Sequence, residues 1–301
     1  MFEKILLPLD GSEIAETAQF YGEELAKKLG SDLILFHVCR PEHEHYRHMH
    51  ETYLNNLAET LRLDLGKDQS SAKINVSTKI EIGGPQENVC ALVQENDIGL
   101  IIMTTIGHSG IKVGKMIGSV ADHVCRTVPV PVLLIKPQKN HQTEGKKRLI
   151  NRILLTLDGS ELSKLALPVG EELAAKLKIP ITLFQMAHLF VPWAEEGMAP
   201  DVDPFFNYTK LNEGVEALIK TEMEALAEKI KEKGIDVNHL VVTGTSAGDE
   251  IIEATKDIGA DLVVMSTHGR SGLGRWVIGG VAEKVIRHSE VPVLLVNART
   301  N

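Results

Sequence analysis

The segment KILLPLDGSE at residues 4–13 returns as RILLTLDGSE at residues 152–161, and this repeat decides the fold. The two segments are offset by 148 positions. Near the end of each copy, VPVPVLLIK at residues 128–136 matches SEVPVLLVN at residues 289–297 with an offset of 161. Self-similarity at this spacing indicates a duplicated domain rather than one large domain.

The change of offset locates an insertion and the limits of the two copies. The second copy is longer by 13 residues, and the segment FVPWAEEGMAPDVDPFF at residues 190–206 has no counterpart in the first. A polar, lysine-rich stretch without apolar periodicity separates the copies, as is typical of a linker. We therefore predict a first domain at residues 1–137, a linker at 138–150 and a second domain at 151–301.

Short, almost continuously apolar runs alternate in each copy with stretches of helical periodicity. KILLPLD and DLILFHV are typical of buried strands, and AETAQFYGEELAKKLG between them ends in Gly30, a helix C-cap signal. Strands separated by helices in this way pair in parallel and are buried on both faces. Each copy is predicted to be an α/β domain with a five-stranded, doubly wound parallel sheet and helices on both faces.

The last strand of each copy, PVLLIK or PVLLVN, would lie at a sheet edge with unpaired backbone groups. Long apolar edge strands favour pairing with another strand. The nearest partner is the equivalent strand of the other copy, which predicts an intramolecular pseudo-dimer joined through the last strands. Whether two such tandem chains also associate as a homodimer is left open by the sequence.

The overall composition excludes several classes of function. The 301 residues include 43% hydrophobic and 24% charged residues and carry a formal net charge of −9, which argues against a nucleic-acid or anionic-membrane surface. No run approaches the roughly 20 apolar residues of a membrane span. Three widely spaced cysteines form no disulfide framework and the first residues do not resemble a signal peptide, which predicts a cytoplasmic location. Cys39 and Cys125 are predicted to be buried as small hydrophobic side chains.

Glycine-rich segments follow the fourth strand of each copy, at the edge where open α/β sheets bind ligands. They are TIGHSGIKVGKMIGSV at residues 105–120 and THGRSGLGRWVIGGV at residues 267–281. Glycines let backbone N–H groups approach an anion, and the helix that follows begins with unpaired N–H groups. The spacing matches neither a Walker A motif nor a G-x-G-x-x-G after the first strand. A phosphate-binding loop and a plain strand-to-helix connector are both compatible with these segments.

The ordered motifs ILLPLDGS, GGP, TTIGHSG with GSVADHV, and VPVLLIK, together with their second-copy counterparts, resemble a tandem universal stress protein. The resemblance covers nearly all of both copies. It implies an α/β fold of the adenine-nucleotide alpha-hydrolase type that binds an adenine nucleotide at the carboxyl edge of each sheet. It also implies that Asp10 lies beside the nucleoside, that the Val38 backbone meets the adenine, and that the phosphates contact Gly107, Gly110, Gly118 and Ser119.

We extend this expectation to the segments that reach the same sheet edge in both copies. The predicted binding residues of the first copy are Pro8, Leu9, Asp10, Val38, Gly83, Met103, Gly107, Gly110, Gly118, Ser119 and Val120. Those of the second copy are Thr156, Leu157, Asp158, Met186, Gly244, Met265, Gly269, Gly272, Gly279, Gly280 and Val281.

The second copy departs from the first at its phosphate loop. Gly280 stands where the first copy has the hydroxyl of Ser119, and a glycine keeps the backbone N–H but loses the side-chain donor. The spacers at residues 111–117 and 273–278 are both shorter than the family pattern. We therefore predict weaker or different phosphate ligation in the second domain.

The leading hypothesis is a nucleotide-binding module with a regulatory or stress-protective role. ATP is the favoured ligand, ADP and AMP are alternatives, and Mg²⁺ is a candidate accompanying ion. No positioned base, nucleophile or metal-carboxylate pair accompanies the loops, so efficient catalysis is not expected. One alternative is a slow ATPase or self-phosphorylating enzyme that uses Asp10 or Asp158 near Mg²⁺. Another is a scaffold with vestigial pockets that binds partners through Pro192, Trp193, Phe205 and Phe206.

The segment HVCRPEHEHYRHMH places five histidines within residues 37–50. Imidazole is a common ligand of Zn, Cu and Ni, so a metal site and a solvated loop are both compatible with His43, His45, His48 and His50. The spacing matches no closed structural zinc pattern, and the second copy has no such cluster. We predict no metal site.

Overall fold

The duplicated sequence forms one continuous ten-stranded sheet. The computed structural model describes residues 1–67, 74–107, 117–137, 149–189, 208–269 and 278–297. The strands are β1 Lys4–Pro8, β2 Asp32–Cys39, β3 Val76–Ile82, β4 Leu100–Thr104, β5 Val132–Ile135, β6 Ile153–Leu157, β7 Ile181–His188, β8 Val237–Gly244, β9 Leu262–Ser266 and β10 Val293–Val296. The α-helices are α1 Glu13–Leu29, α2 Arg47–Gly66, α3 Pro85–Glu95, α4 Ser119–Thr127, α5 Glu161–Lys164, α6 Ala166–Leu177, α7 Tyr208–Lys231, α8 Ala247–Asp257 and α9 Gly280–His288; a 3₁₀ helix at Pro41–Tyr46 precedes α2.

The strand order is β3-β2-β1-β4-β5-β10-β9-β6-β7-β8. Neighbouring strands within each half are parallel, whereas β5 and β10 pair antiparallel with Leu133 opposite Leu294. This arrangement confirms the predicted tandem of five-stranded parallel sheets joined through their last strands. The last strands pair within the chain and so are not available to join two chains. A homodimer of tandem chains stays a prediction.

The antiparallel junction also fixes where the two halves present their strand ends. All strands of the first half run with β5, and all strands of the second run with β10. The carboxyl ends of the two halves therefore lie at opposite edges of the ten-stranded sheet. In each half the chain reverses its strand order between the first and fourth strands, which is where open α/β sheets form a ligand crevice.

The helix that follows the first strand begins in the same way in both halves. The hydroxyl of Ser12 accepts a hydrogen bond from the Ala15 N–H in α1, and that of Ser160 accepts one from the Ser163 N–H in α5. The first helix ends at Gly30, which has a left-handed backbone with φ 71° and confirms the predicted C-cap. Lys178 takes the same conformation in the second half, with φ 53°. The duplicated turn is therefore retained there, although the left-handed backbone is sterically unfavourable for a residue with a β-carbon.

The hydrophobic core consists of two layers, one on each face of the sheet, and both layers cross the junction. One layer lies beneath α1, α2, α6 and α7 and contains Leu133 and Leu294 from the two paired strands. The other lies beneath α3, α4, α8 and α9 and contains Leu134 and Leu295. Because each layer draws on both halves, the halves share their core instead of folding around separate ones.

Across the described ranges, no helix is both long enough and apolar enough to cross a membrane. The predicted insertion at residues 190–206 lies outside the described residues, so the scaffold hypothesis that depends on it has no structural account here.

We expect Leu294→Ala to lower the free energy of unfolding by about 2–5 kcal/mol, because it removes a fully buried side chain from the shared core. Leu218→Ala, at a position of α7 that is 61% exposed, should change it by less than about 0.5 kcal/mol. Denaturant unfolding followed by far-UV circular dichroism measures both. If unfolding occurred in two separate transitions and Leu294→Ala shifted only one of them, this would contradict a shared core.

Candidate functional site

A cavity of about 510 Å³ opens at the carboxyl edge of the first half. It lies where β1 and β4 diverge, and it is closed on one side by the first turn of α4. Nine of the predicted binding residues line it: Pro8, Leu9, Asp10, Val38, Met103, Gly107, Gly118, Ser119 and Val120. The structure thus brings together in space segments that are up to 112 residues apart in the sequence.

The second half has a smaller cavity, of about 260 Å³, at the corresponding edge. It is built from the same elements in the same order, with α9 in the place of α4. The predicted residues that line it are Thr156, Leu157, Asp158, Met186, Met265, Gly269, Gly279, Gly280 and Val281. We refer to the two cavities as the first and second pockets.

Two predicted glycines lie at the sheet edge but outside the described pocket linings. Gly83 follows β3 and Gly244 is the last residue of β8. These are the outermost strands, each two strands away from the first strand of its half, where the strand order reverses. A β-carbon at Gly83 would approach the side chain of Asn88, and one at Gly244 would approach Glu250. These glycines therefore make room for the helix that follows them. Gly110 and Gly272 lie outside the described residues.

Several lining residues were not predicted from the sequence. The first pocket also includes Phe36, Pro85, Val89, Thr104 and Thr105. The second includes their counterparts Phe184, Ala247, Ile251, Ser266 and Thr267. The duplicated pattern contained the signal, because each pair occupies the same place in its copy.

An aspartate lies at the entrance of each pocket and is held by the turn after the first strand. Asp10 Oδ1 accepts hydrogen bonds from the N–H of Ser12, at 3.0 Å, and from its hydroxyl. Asp158 makes the same pair of contacts with Ser160, at 2.9 and 2.6 Å. The other carboxylate oxygen lies against a loop glycine, where a β-carbon on Gly107 or Gly269 would overlap it. Each aspartate is therefore fixed against the loop that follows the fourth strand.

The amino terminus of α4 forms another wall of the first pocket. Gly118 is the N-cap, with its N–H donated to the Thr105 carbonyl at 2.7 Å and its carbonyl accepting from the Asp122 N–H at 2.9 Å. The first N–H groups of an α-helix have no acceptor within the helix, and the helix dipole places a partial positive charge there. In α4 these are the N–H groups of Ser119, Val120 and Ala121, three residues that line the first pocket.

The structure refines the predicted role of Ser119. It is the first residue of α4 rather than its cap, and the N-cap Gly118 supplies no side-chain hydrogen bond. The Ser119 hydroxyl is therefore not used to cap the helix. Helix α9 repeats this geometry, with the Gly279 N–H donated to the Thr267 carbonyl at 2.9 Å, and Gly280 there leaves the second pocket without an equivalent hydroxyl.

A pair of stacked imidazoles forms the far wall of the first pocket. His37 is buried, and its Nδ1 donates to the Leu9 carbonyl at 2.8 Å, so Nε2 is the acceptor atom of the neutral ring. The His50 ring stacks on it with centroids 4.2 Å apart and planes inclined by 21°. Burial lowers the pKa of His37 and the nearby His50 lowers it further, against the raising effect of the Leu9 hydrogen bond. The second half has Gln185 at the position of His37.

The remaining histidines of the cluster diverge. His43 reaches the first pocket, whereas His45 and His48 are exposed on the 3₁₀ helix and the first turn of α2. Among the described residues no group of three or more His, Cys, Asp or Glu side chains converges on a metal position. Cys39, Cys90 and Cys125 are free thiols and are buried, as predicted for Cys39 and Cys125.

These pockets, repeated on a doubly wound sheet, define the class of a tandem α/β protein with a cavity at the carboxyl edge of each half. The family model "Universal stress protein family" matches residues 1–136 and again residues 150–297. The chain therefore belongs to the universal stress protein family, with two family domains in tandem.

Three relatives illustrate the relationship. Universal stress protein MJ0577 of Methanocaldococcus jannaschii is 31% identical over 105 residues, which are 35% of this chain and 63% of that protein. Universal stress protein YxiE of Bacillus subtilis is 30% identical over 154 residues, covering 49% of this chain and 99% of the relative. The crystal structure of a universal stress protein from Archaeoglobus fulgidus aligns with 98% of both chains at a TM-score of 0.71 and 20% identity, which establishes the likeness of the fold.

We expect Gly107→Ala to lower the free energy of unfolding by about 1–3 kcal/mol, because the added methyl group displaces the Asp10 carboxylate from its place. The cost should largely disappear in an Asp10→Ala background, which removes the displaced group. Gly280→Ala, where a β-carbon meets no atom within 4 Å, is the matched control and should be neutral or slightly stabilising. Chemical denaturation of the single and double variants measures the coupling. Equal costs of Gly107→Ala in both backgrounds would show that Asp10 is not the group displaced.

The lowered pKa of His37 predicts a dependence of stability on pH. Below the unfolded-state pKa of about 6.5 the unfolded chain binds a proton that the buried ring resists, so this residue lowers stability as the pH falls from about 6.5 toward its folded pKa, by at most about 1.4 kcal/mol per pH unit. His37→Gln, which copies the second half, should flatten the profile in that window, and Gln185→His should steepen it. Urea midpoints measured from pH 5 to pH 8 test this, and an unchanged profile for His37→Gln would count against it.

Proposed function

We propose that this protein binds an adenine nucleotide in each of its two pockets, with ATP as the favoured ligand and ADP or AMP as alternatives, and that it has a regulatory or stress-protective role. The observation that carries the proposal is the wall of helix-terminal N–H groups in each pocket, at the crevice where the strand order reverses. This is the arrangement by which helix amino termini bind phosphate groups. Membership of the universal stress protein family supports the same ligand class through the resemblance described above.

The size and lining of the first pocket support a nucleotide. Its volume of about 510 Å³ lies within the range of roughly 300–1,000 Å³ typical of small-molecule sites. Apolar side chains such as Val38 and Val89 offer a surface for a base, and Asp10 offers a carboxylate to hydroxyl groups of a ribose. The net charge of −9 opposes anion binding in general, so the local backbone N–H groups have to overcome it.

The second pocket supports a weaker or smaller ligand. Its volume is about half that of the first, and it has Gly280 where the first pocket has Ser119. Its described lining includes His188 and His268, in place of Arg40 and Ile106 of the first copy. We therefore propose that the first pocket is the tighter nucleotide site.

Binding is favoured over hydrolysis by the small number of charged groups. Asp10 and Asp158 are the single carboxylates in the described linings of their pockets. Mg²⁺ takes six oxygen ligands in octahedral geometry, most of them from phosphates or water when one carboxylate is present. Mg²⁺ would therefore arrive with the nucleotide and contact the chain through Asp10 or Asp158. Slow ATP hydrolysis or self-phosphorylation, and a cytoplasmic location, remain predictions from the sequence.

We expect Gly118→Asp to weaken ATP binding to the first pocket by at least about tenfold, because it places a carboxylate against the phosphate position. Asp is a favoured N-cap, and a β-carbon at Gly118 meets its nearest neighbour at 3.5 Å, so the fold should be retained. Isothermal titration calorimetry with ATP measures the affinity. The matched variant Gly279→Asp should remove only the second, weaker binding event.

The hydroxyl at the helix start provides a finer test of the same proposal. Ser119→Ala should weaken the tighter event by up to about tenfold, the worth of one hydrogen bond to a charged group, and Gly280→Ser should strengthen the weaker one by a similar factor. Wild-type protein that binds neither ATP, ADP nor AMP at millimolar concentration would overturn the proposed function.

A further inference from the structure

Asn297 lies at the carboxyl end of β10 in the second half, and its side chain reaches into the first half. Its Nδ2 donates to the Val128 carbonyl at 2.9 Å and to the Cys125 carbonyl at 3.3 Å. The side chain is buried, with 6% of the residue exposed. Both acceptors belong to the end of α4, the helix whose other end lines the first pocket.

The sequence of the first half explains why α4 needs a donor from outside. Cys125 would pair in a continuing helix with the N–H of residue 129, but residue 129 is a proline and has none. The proline also holds Val128 in an extended conformation, with φ −78° and ψ 145°, so the helix ends at Thr127. A buried carbonyl without a partner is costly, and the amide of Asn297 satisfies two of them.

Helix α4 connects this contact with the first pocket. Its nine residues span about 13 Å at 1.5 Å per residue. Its inner face, Ala121, Val124 and Cys125, belongs to the same core layer as Ala282, Val285 and Ile286 of α9. The helix is thus held at its carboxyl end by Asn297 of the second half. Its inner face lies in a core layer that both halves share, and its amino end lines the first pocket.

Asn297 also adjoins the second pocket. The carbonyl of the preceding residue, Val296, accepts a hydrogen bond from the Thr267 N–H at 2.9 Å, and Thr267 lines the second pocket. A continuous set of hydrogen-bonded and packed groups therefore runs from the second pocket through Asn297 to α4 and the first pocket.

The reverse contact is present but differs in character. Lys136, at the position equivalent to Asn297 in the first copy, donates from Nζ to the carbonyls of Arg287 at 3.0 Å and Ser289 at 3.4 Å, at the end of α9. Lys136 is only partly buried and has a flexible stem. The rigid, buried contact is therefore the one that the second half makes with the first.

We propose that Asn297 is a positioning residue for the first pocket, through which the second half sets the ligand affinity of the first. This inference rests on the proposed function for its ligand, but the placement of α4 by Asn297 is a property of the chain without ligand. Loss of the amide frees the carboxyl end of α4, so the N–H groups at its amino end are no longer held in one position.

The test measures separately how firmly α4 is held, by hydrogen exchange, and how tightly the first pocket binds its ligand. Asn297→Asp keeps the shape and removes the donor, Asn297→Ala removes both, and Lys136→Met is the matched control at the equivalent position. Hydrogen exchange of the backbone amides is measured without ligand in α4 and α9. ATP affinity is measured by calorimetry in a Gly279→Asp background, where the first pocket alone is intact.

We expect both Asn297 variants to speed exchange at residues 122–128, the later part of α4 and its C-cap, while exchange in α9 is unchanged. Both should also weaken ATP binding to the first pocket by about 2- to 30-fold. Lys136→Met should leave α4 exchange and that affinity as in the wild type. Faster exchange in α4 without ATP binding by any variant or by the parent would support the positioning role and overturn the proposed function. Unchanged α4 exchange, or equal acceleration in α4 and α9, would overturn the inference even if ATP binds.

Discussion

The antiparallel pairing of β5 with β10 is the constraint on which the rest of the structure depends. Each half has a short, wholly apolar last strand, and neither strand has another partner in its own half on that side. Their pairing removes two exposed edges at once and makes both core layers continuous across the junction. It also brings the ends of α4 and α9 within reach of side chains from the opposite half, so the domains are joined by specific polar contacts as well as by apolar burial.

The features that the sequence predicts well are those that recur at short range or by duplication. The strands are apolar runs, Gly30 ends its helix because a left-handed residue is needed there, and the repeat itself predicts the pairing of the last strands. The edge segments Pro8 to Asp10 and Thr156 to Asp158 meet their predicted neighbours because parallel strands bring their carboxyl ends to one edge.

Other features depend on distance in space and were not predictable from local patterns. The start of α4 is fixed by the hydrogen bond from the Gly118 N–H to the carbonyl of Thr105, a residue 13 positions earlier in the sequence. The placement of Gly83 and Gly244 outside the pockets follows from the position of their strands at the outer edges of the sheet. The stacking of His37 on His50 is a contact that the histidine-rich segment alone does not specify. The contact of Asn297 with α4 joins segments that share no sequence pattern and spans more than half the chain.

The opposite orientation of the two halves has a consequence for how the protein meets its surroundings. Because the carboxyl edges point in opposite directions, a molecule that enters one pocket arrives from the side of the protein facing away from the other. Two anions, one in each pocket, would therefore neither share a solvent channel nor repel each other at close range. A molecule bound at the rim of one pocket would leave the rim of the other uncovered, because the two rims lie at opposite edges of the ten-stranded sheet.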